Sequence, residues 1–365
     1  MNDTDYMRRA IALAQKGEGH VNPNPMVGAV IVKNGRIIGE GYHKKCGEAH
    51  AERNALSSCT ESPEGATLYV TLEPCCHFGR TPPCTEAILK SGIVKVVAGS
   101  GDPNPKVAGK GIAQLKNAGI DVIENFLKTE CDRLNPVYFH YIKTGLPYLV
   151  IKYAMTLDGK TATSSGASKW ITGEAARRDV QKLRNRYSGI MVGIGTVIRD
   201  DPLLTCRLEN SRNPVRIVCD SSLRIPLNCR ICRTAKEVPT IVATTVADGA
   251  GKARLNKMKI NVLTVPGKDG MVDFKALMRK LGKLGIDGIL LEGGGRLNCS
   301  ALKTGLVREV YAYIAPKIFG GTKAETPVEG DGVLSPDMGF MFSAPEVTPL
   351  DGDLRLRYRS KGDVM

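Results

Sequence analysis

The sequence predicts a two-domain α/β protein, and three observations carry that prediction. The chain has 365 residues, more than one average domain holds, and 42% of them are hydrophobic, enough for two cores. Strand-like and helix-like pieces alternate along most of its length, the pattern of sheets layered with helices. That alternation pauses at KTGLP, Lys143 to Pro147, and then restarts. One domain is therefore expected over residues 1–145 and a second over 146–365.

In the first domain, MNDTDYMRRAIALAQKG joins an acidic cap to apolar residues at Tyr6, Ile11, Leu13 and Ala14, and predicts an amphipathic helix. VGAVIVKNGRIIGEGYH reads as a hairpin turned at Asn34-Gly35, a strong turn dipeptide. HAERNALSSC is a short helix, ATLYVTLEP a strand ended by proline, TEAILKSG a helix closed by glycine, and IVKVVAGSG a further strand. In the second domain PYLVIKYAM, GIMVGIG, PVRIVCD, PTIVATT, GILLE and EVYAYIAP read as strands. EAARRDVQKLRNR, MVDFKALMRKLGKLG and LNCSALKTGL read as helices. Strands separated by helices of this length imply a mostly parallel sheet. VGIGTVIRDDP and the segment after LLE read as glycine-bearing turns.

No apolar h-region opens the chain, and no apolar run approaches the roughly 20 residues that cross a bilayer. A soluble protein is expected. Eleven cysteines, an odd number scattered through a long chain, favour reduced thiols in a cytoplasm over a disulfide framework. Cys229 and Cys232 form a CxxC with no second pair or histidine nearby, and read as ordinary residues. The net charge of +14 suits nucleic acid, or equally a phosphorylated substrate and cofactor. Aromatics are only 5%, and nucleic-acid surfaces usually interleave them with the basic residues.

EPCCHFGRTPPC, Glu73 to Cys84, carries the chemistry. It holds three cysteines and a histidine, and His50-Ala51-Glu52 opens a helix upstream. An H-x-E followed by P-C…C is the zinc-deaminase arrangement, with one histidine and two cysteine ligands and a glutamate that is not a ligand. Two thiolates and a neutral imidazole leave zinc a fourth position for water, lowering that water's pKa towards ~7. Glu52 would take the water's proton and pass it to the ring nitrogen and then the leaving amine. Cys84 precedes a helix, whose positive end favours thiolate. The spacing departs from the usual C-x-x-C, because eight residues separate Cys75 from Cys84.

That insertion resembles the deaminase half of the bifunctional riboflavin-biosynthesis deaminase/reductases. NPNPMVGAVIV, GEAHAERNAL, VTLEPCCHFGRTPPC and GDPNPKVAGKG follow in the family's order. The resemblance implies a cytidine-deaminase-like domain, zinc on His50, Cys75 and Cys84, and Glu52 as proton shuttle. Cys76 departs from the family, where serine is more usual, and is expected not to be a ligand. His77 is expected to face substrate. Asn24, in the NPNP turn, either hydrogen-bonds the pyrimidine or ribose or is a turn asparagine between prolines.

YLVIKYAMTLDGKTA, SKWITG, VGIGTVIRDDPLLTCR and LLEGGGRL resemble the reductase half of the same family, which looks like dihydrofolate reductase. The resemblance thus covers nearly the whole chain. It implies NADPH contacts from Ala154, Trp170, Thr196, Asp200, Ser221 and the run Gly294, Gly295, Arg296, Leu297, Asn298, Cys299 and Ser300. It implies substrate contacts from Ser168, Arg184, Leu204, Arg207 and Glu292. Guanidinium forks at Arg184 and Arg207 suit a phosphate; each could instead be an ordinary surface cation. Lys152 and Asp200 are the candidate polar groups near hydride transfer. From the residues alone, a strand running into Gly293-Gly294-Gly295 and a helix is compatible with phosphate at the helix start.

The implied reactions are deamination of 2,5-diamino-6-(5-phosphoribosylamino)pyrimidin-4-one, then reduction of the ribosyl group to ribityl by NADPH hydride. The expected partner is a phosphorylated small-molecule pyrimidine, with no nucleic acid and no membrane, and the chain is expected to be a homo-oligomer. One rival reading is a nucleic-acid base deaminase with an accessory binding domain; the second half shows no RNA-binding motif. The other is a zinc structural module on an inactive scaffold, which would not need Glu52.

Overall fold

The computed structural model describes residues 1–79 and 82–361, so Arg80 and Thr81 of the HFGRTPPC stretch lie outside the described residues. The chain separates into two compact units, Met1–Gly145 and Leu146–Met365.

The first unit runs α1 (Asp3–Gln15), β1 (Gly28–Lys33), β2 (Arg36–Tyr42), α2 (Ala51–Ser57), β3 (Thr67–Leu72), α3 (Cys84–Lys90), β4 (Lys95–Ser100), α4 (Lys110–Asn117), β5 (Asp121–Ile123), α5 (Lys128–Asp132) and α6 (Pro136–Thr144). Asn2 and Asp5 form a reciprocal capping box that starts α1. Asn34 and Gly35 both take positive φ, 49° and 73°, the geometry a two-residue hairpin between β1 and β2 requires. The sheet order is β2-β1-β3-β4-β5, with β1 antiparallel to both neighbours and β3, β4 and β5 parallel.

Alternation along β1 buries both faces of this sheet. Val30 and Val32 meet Met7, Ala10 and Leu13 of α1, while Ala29 and Ile31 join the cluster of α2, α3 and α4 residues Ala55, Ile88 and Leu115. A Cβ on Gly41 would stand 2.3 Å from the Ala55 nitrogen, so α2 lies directly on β2. That close approach fixes where the start of α2, and with it His50 and Glu52, can sit.

The second unit runs β6 (Tyr148–Thr156), α7 (Glu174–Arg186), β7 (Gly189–Gly193), α8 (Ile194–Asp200), β8 (Val215–Cys219), α9 (Arg230–Arg233), β9 (Thr240–Thr244), α10 (Ala250–Lys257), β10 (Asn261–Thr264), β11 (Gly267–Lys268), β12 (Met271–Val272), α11 (Phe274–Lys283), β13 (Gly288–Leu291), α12 (Gly295–Lys303), β14 (Val307–Ala315), β15 (Glu346–Leu350) and β16 (Asp353–Arg359). Nine strands form one sheet in the order β10-β9-β8-β7-β13-β6-β14-β16-β15. It is parallel from β10 to β14, and β16 and β15 add antiparallel strands at one edge. Its central strands are continuous apolar runs because both faces are covered. Met191, Ile217 and Ile289 face Leu277 and Leu281 of α11, and Ile190, Val192 and Val218 face Val197 of α8 and Ile231 of α9.

Two sequence expectations change. VGIGTVIRDDP is not a turn: Gly193 ends β7 and is at once the N-cap of α8. The C-terminal hairpin was not anticipated, although its signal is present. Asp351 and Gly352 take φ of 52° and 93°, and Leu354, Leu356 and Tyr358 alternate with Arg355, Arg357 and Arg359.

Candidate active sites

Three elements of the first unit bring the metal-ligating residue types together. His50 is the N-cap of α2, Cys84 the first residue of α3, and Glu73-Pro74 carry the chain from β3 to Cys75. The ligand atoms of His50, Cys75 and Cys84 all lie within 4.8 Å of one another. The Cys75 and Cys84 sulfurs stand 3.5 and 3.4 Å from His50 Nδ1. Tetrahedral zinc, with Zn–S of ~2.3 Å and Zn–N of ~2.0–2.1 Å, would set such a pair ~3.5 Å apart. The donor set therefore fits zinc. The Cys84 thiol donates to Cys75, which with His50 lowers Cys75 well below an ordinary thiol against its burial. The same bond, burial and the Glu52 carboxyl push Cys84 up. A cation held by these residues would take the place of that shared proton.

Glu52 lies in the first turn of α2 and is 3% exposed. Burial raises its carboxyl above the usual range, the Cys75 charge adds to this, and His50 opposes it. Cys76 stands outside the cluster, its sulfur 3.8 Å from the Lys106 carbonyl oxygen.

A cavity of about 400 Å³ opens onto His50, Glu52 and Cys75, and Asn24 and His77 also line it. Asn24 Nδ2 is 3.2 Å from His43 Nε2, and His43 Nδ1 is 3.2 Å from the Ala49 carbonyl oxygen. Burial lowers the His43 pKa, so the ring is neutral, donates to Ala49 and accepts from Asn24. His77 Nδ1 is buried with no hydrogen-bond partner among the described residues. Among the cavity residues that escaped the sequence reading are His43, Asp102 and Tyr138. The Tyr138 hydroxyl donates to both Asp102 oxygens, at 3.0 and 3.2 Å, and burial raises both pKa values. Asp102 had a signal in GDPNPKVAGKG; Tyr138 arrives from α6, where nothing local marks it.

In the second unit a cavity of about 520 Å³ lies at the carboxyl ends of β7, β8 and β13. Thr196, Ser221, Gly294, Gly295, Arg296, Leu297 and Ser300 line it, together with Arg199, Arg224, Glu325 and Glu329, which sequence reasoning missed. Two helices, α8 and α12, begin here from adjacent strands, and neither has a side-chain cap. A Cβ on Gly293 would stand 2.8 Å from the Gly193 nitrogen, so the two turns meet backbone to backbone. The paired, uncapped helix starts fit the pyrophosphate of a dinucleotide. Asn298 and Cys299 are buried behind this wall, with Asn298 Nδ2 donating to the Pro327 carbonyl oxygen at 2.8 Å. Ala154, Trp170 and Asp200 do not line the cavity. Trp170 is 62% exposed and carries the Arg177 guanidinium 4.7 Å from its ring centre.

Arg184, Glu292 and Lys152 form a separate half-buried cluster. Arg184 grips Glu292 with two bonds of 2.7 and 3.0 Å and donates to the Thr205 carbonyl oxygen, while Lys152 Nζ is 3.6 Å from Glu292. The sequence reading offered this guanidinium fork to a phosphate; in the structure it is engaged by the half-buried carboxylate of Glu292. Burial pushes Glu292 up, but Arg184 and Lys152 outweigh it and hold the carboxyl at about 2. Burial also lowers Lys152, against the pull of Glu292. Leu204 packs in the core beside Val197 and Ile225, the Arg207 amide donates to Gln181, and Ser168 and Arg207 line neither cavity.

Comparison with known proteins joins these two sites. The cytidine and deoxycytidylate deaminase zinc-binding region matches residues 1–100, and the RibD C-terminal domain matches residues 147–350. A riboflavin biosynthesis protein RibD of Actinobacillus pleuropneumoniae is 53% identical over 358 residues, spanning 98% of this chain and 95% of that relative. The chain belongs to the RibD family. The RibD of Bacillus amyloliquefaciens is 43% identical across 96% of this chain and 94% of its own. A solved RibD of Acinetobacter baumannii matches with a TM-score of 0.89 at 39% identity, covering 98% of both chains. A solved diaminohydroxyphosphoribosylaminopyrimidine deaminase/5-amino-6-(5-phosphoribosylamino)uracil reductase of Thermotoga maritima matches at 0.87 and 38% identity, again over 98% of both. As a RibD-family chain, the protein is a bifunctional riboflavin-biosynthesis enzyme with a cytidine-deaminase-like first unit and a reductase second unit, served by zinc and NADPH. It acts on a small-molecule pyrimidine. Among the described residues, no helix is long and apolar enough to cross a membrane.

Proposed function

We propose that residues 1–145 deaminate the 2-amino group of 2,5-diamino-6-(5-phosphoribosylamino)pyrimidin-4-one, and that residues 146–365 reduce the product's ribosyl group to ribityl. The observation that carries the first assignment is buried Glu52 beside the His50, Cys75 and Cys84 donor set, at the floor of a cavity. His50, Cys75 and Cys84 hold zinc, which when bound supplies Lewis-acid activation of the attacking water. Glu52 accepts the water's first proton and gives it to the ring nitrogen, then carries the second proton, from the new hydroxyl group, to the departing amine, so that one water enters and one ammonia leaves. Asn24, oriented by His43, and His77 bind the pyrimidine from the cavity wall.

In the second unit Thr196, Ser221 and the run Gly294 to Ser300 hold NADPH, which supplies the hydride. The supporting geometry is the pair of uncapped helix starts with the cations Arg199, Arg224 and Arg296 around them. Ala154, Trp170 and Asp200 contact the same cofactor from outside the cavity described. Lys152, Arg184 and Glu292 form a charged wall for the sugar, and Ser168, Leu204 and Arg207 complete its binding. Lys152 and Asp200 are the polar groups nearest hydride transfer.

The chain works as a cytoplasmic homo-oligomer on a phosphorylated substrate rather than on nucleic acid or a membrane. Free cysteines throughout the described residues support the compartment, and exposed Leu334, Met338 and Met341 supply apolar surface for self-association. Sedimentation at micromolar concentration tests the last point, and a monomer would refute it. Feeding the diaminopyrimidinone phosphate with and without NADPH tests the reactions. Ammonia release without NADPH, and ribityl product only with it, is the expected result; no ammonia would overturn the reading.

A further inference from the structure

A carboxylate that the mechanism leaves unused stands between β3 and the metal-ligand cluster. Glu73 is 4% exposed and has no ion pair among the described residues. Its Oε2 accepts from the amides of Asp102 and Gly109, at 3.3 and 3.0 Å. Its Oε1 accepts from the amides of Gly111 and Ile112, at 3.0 and 3.3 Å. These donors are the two ends of one loop: Asp102 follows β4, and Gly109, Gly111 and Ile112 form the N-cap and first turn of α4. Gly109 has no side chain to cap α4, so Glu73 does this from another element.

The loop held in this way forms part of the first cavity, through Asp102, Asn104 and Val107. It also presses on the strand end that leads to Cys75, since a Cβ on Gly111 would stand 2.0 Å from the Pro74 carbonyl oxygen. One buried side chain therefore ties both ends of a cavity wall to the residue pair that precedes a metal ligand.

We propose that Glu73 is a positioning residue of the deaminase: it sets the Asp102–Val107 wall at the distance from the zinc-ligand cluster at which substrate is held. The inference rests on reading the first cavity as the deamination site. Glu73 also borders the cavity, but both its oxygens are taken up by loop amides, so it acts through the loop and its removal loosens binding more than chemistry. A group that binds ground state and transition state alike changes KM with little change in kcat.

The test uses the full-length, zinc-loaded protein carrying Glu73→Gln, whose amide turns one acceptor into a donor facing N–H groups. Zinc content, hydrogen exchange over residues 102–112, the kinetics of ammonia release and NADPH oxidation on deaminated substrate are measured together. Zinc and the reductase rate are expected to hold, exchange at both loop ends to quicken about tenfold, and KM to rise about tenfold with kcat within about threefold. Glu73→Asp, one methylene too short to reach both ends, is expected to give a smaller rise. Gly111→Ala, which pushes the loop off Pro74, should reproduce the KM effect if Glu73→Gln does not fold. Loss of zinc with collapse of kcat would make Glu73 a support for Cys75 instead, and unchanged exchange or unchanged KM in the folded variants would overturn the proposal. Wild-type protein that releases no ammonia would refute the deaminase reading itself, which separates the two failures.

Discussion

Glu52 and Cys76 show what a single residue's surroundings decide. Both sit beside the same donor set, yet Glu52 is buried against it while the Cys76 sulfur turns to the Lys106 carbonyl oxygen. Replacing Glu52 with Gln keeps the shape and removes the proton acceptor. Ammonia release is expected to fall by about 10²–10⁴, with zinc content unchanged by metal analysis. Full turnover in that variant would favour a structural zinc module. The cysteines should separate in the same assay: Cys84→Ser loses zinc, whereas Cys76→Ser keeps both zinc and activity near the wild-type level. Sequence spacing alone left three candidate thiols here, and the folded distances choose two of them.

At the scale of elements, the second unit is joined by charges that link its sheet to its helices. Arg184 on α7 and Lys152 on β6 both reach Glu292 at the end of β13. Because Glu292 sits at about 2 in the folded protein, below the ~4.3 of an unfolded glutamate, its contribution is complete above the unfolded value. That contribution is lost as pH falls towards 2. Thermal melts from pH 6 to pH 2 should therefore show a steep decline that Glu292→Gln flattens. At neutral pH the same variant leaves two half-buried cations without their countercharge, and chemical denaturation should register a loss on the order of 1–3 kcal/mol. Arg216 gives a second case. It is wholly buried and bonds Thr240, Thr234 and the carbonyl oxygens of Leu203, Ile231 and Val238, so it stitches β8 to its neighbouring loops. Arg216→Ala strands these acceptors, and chemical denaturation should register a loss on the order of 3 kcal/mol or more.

At the scale of the whole molecule, two chemistries share one chain and can be separated by mutation. Full-length Glu52→Gln should oxidise NADPH at the wild-type rate when given the deaminated substrate and stay silent when given the diaminopyrimidinone. A variant silent with both would show that the reductase unit needs an intact first site. The elements of each unit were largely legible because burial imposes periodicity: β1 alternates between two covered faces, and the central strands of the second sheet are continuous apolar runs. The C-terminal hairpin escaped notice despite its Asp351-Gly352 turn, and α8 was read as a turn because two glycines flank Ile194.

By itself the sequence determined the donor types, the glutamate beside them, and the ordered motifs of both halves, because ligation and turn chemistry need particular residues at short spacings. Only the tertiary structure decided which groups meet. The Tyr138 hydroxyl reaches Asp102 across 36 positions, Arg184 reaches Glu292 across 108, and Glu73 gathers amides up to 39 positions away. Such pairings depend on strand order and helix docking, and a buried charge takes whichever partner the packed chain brings within hydrogen-bond reach.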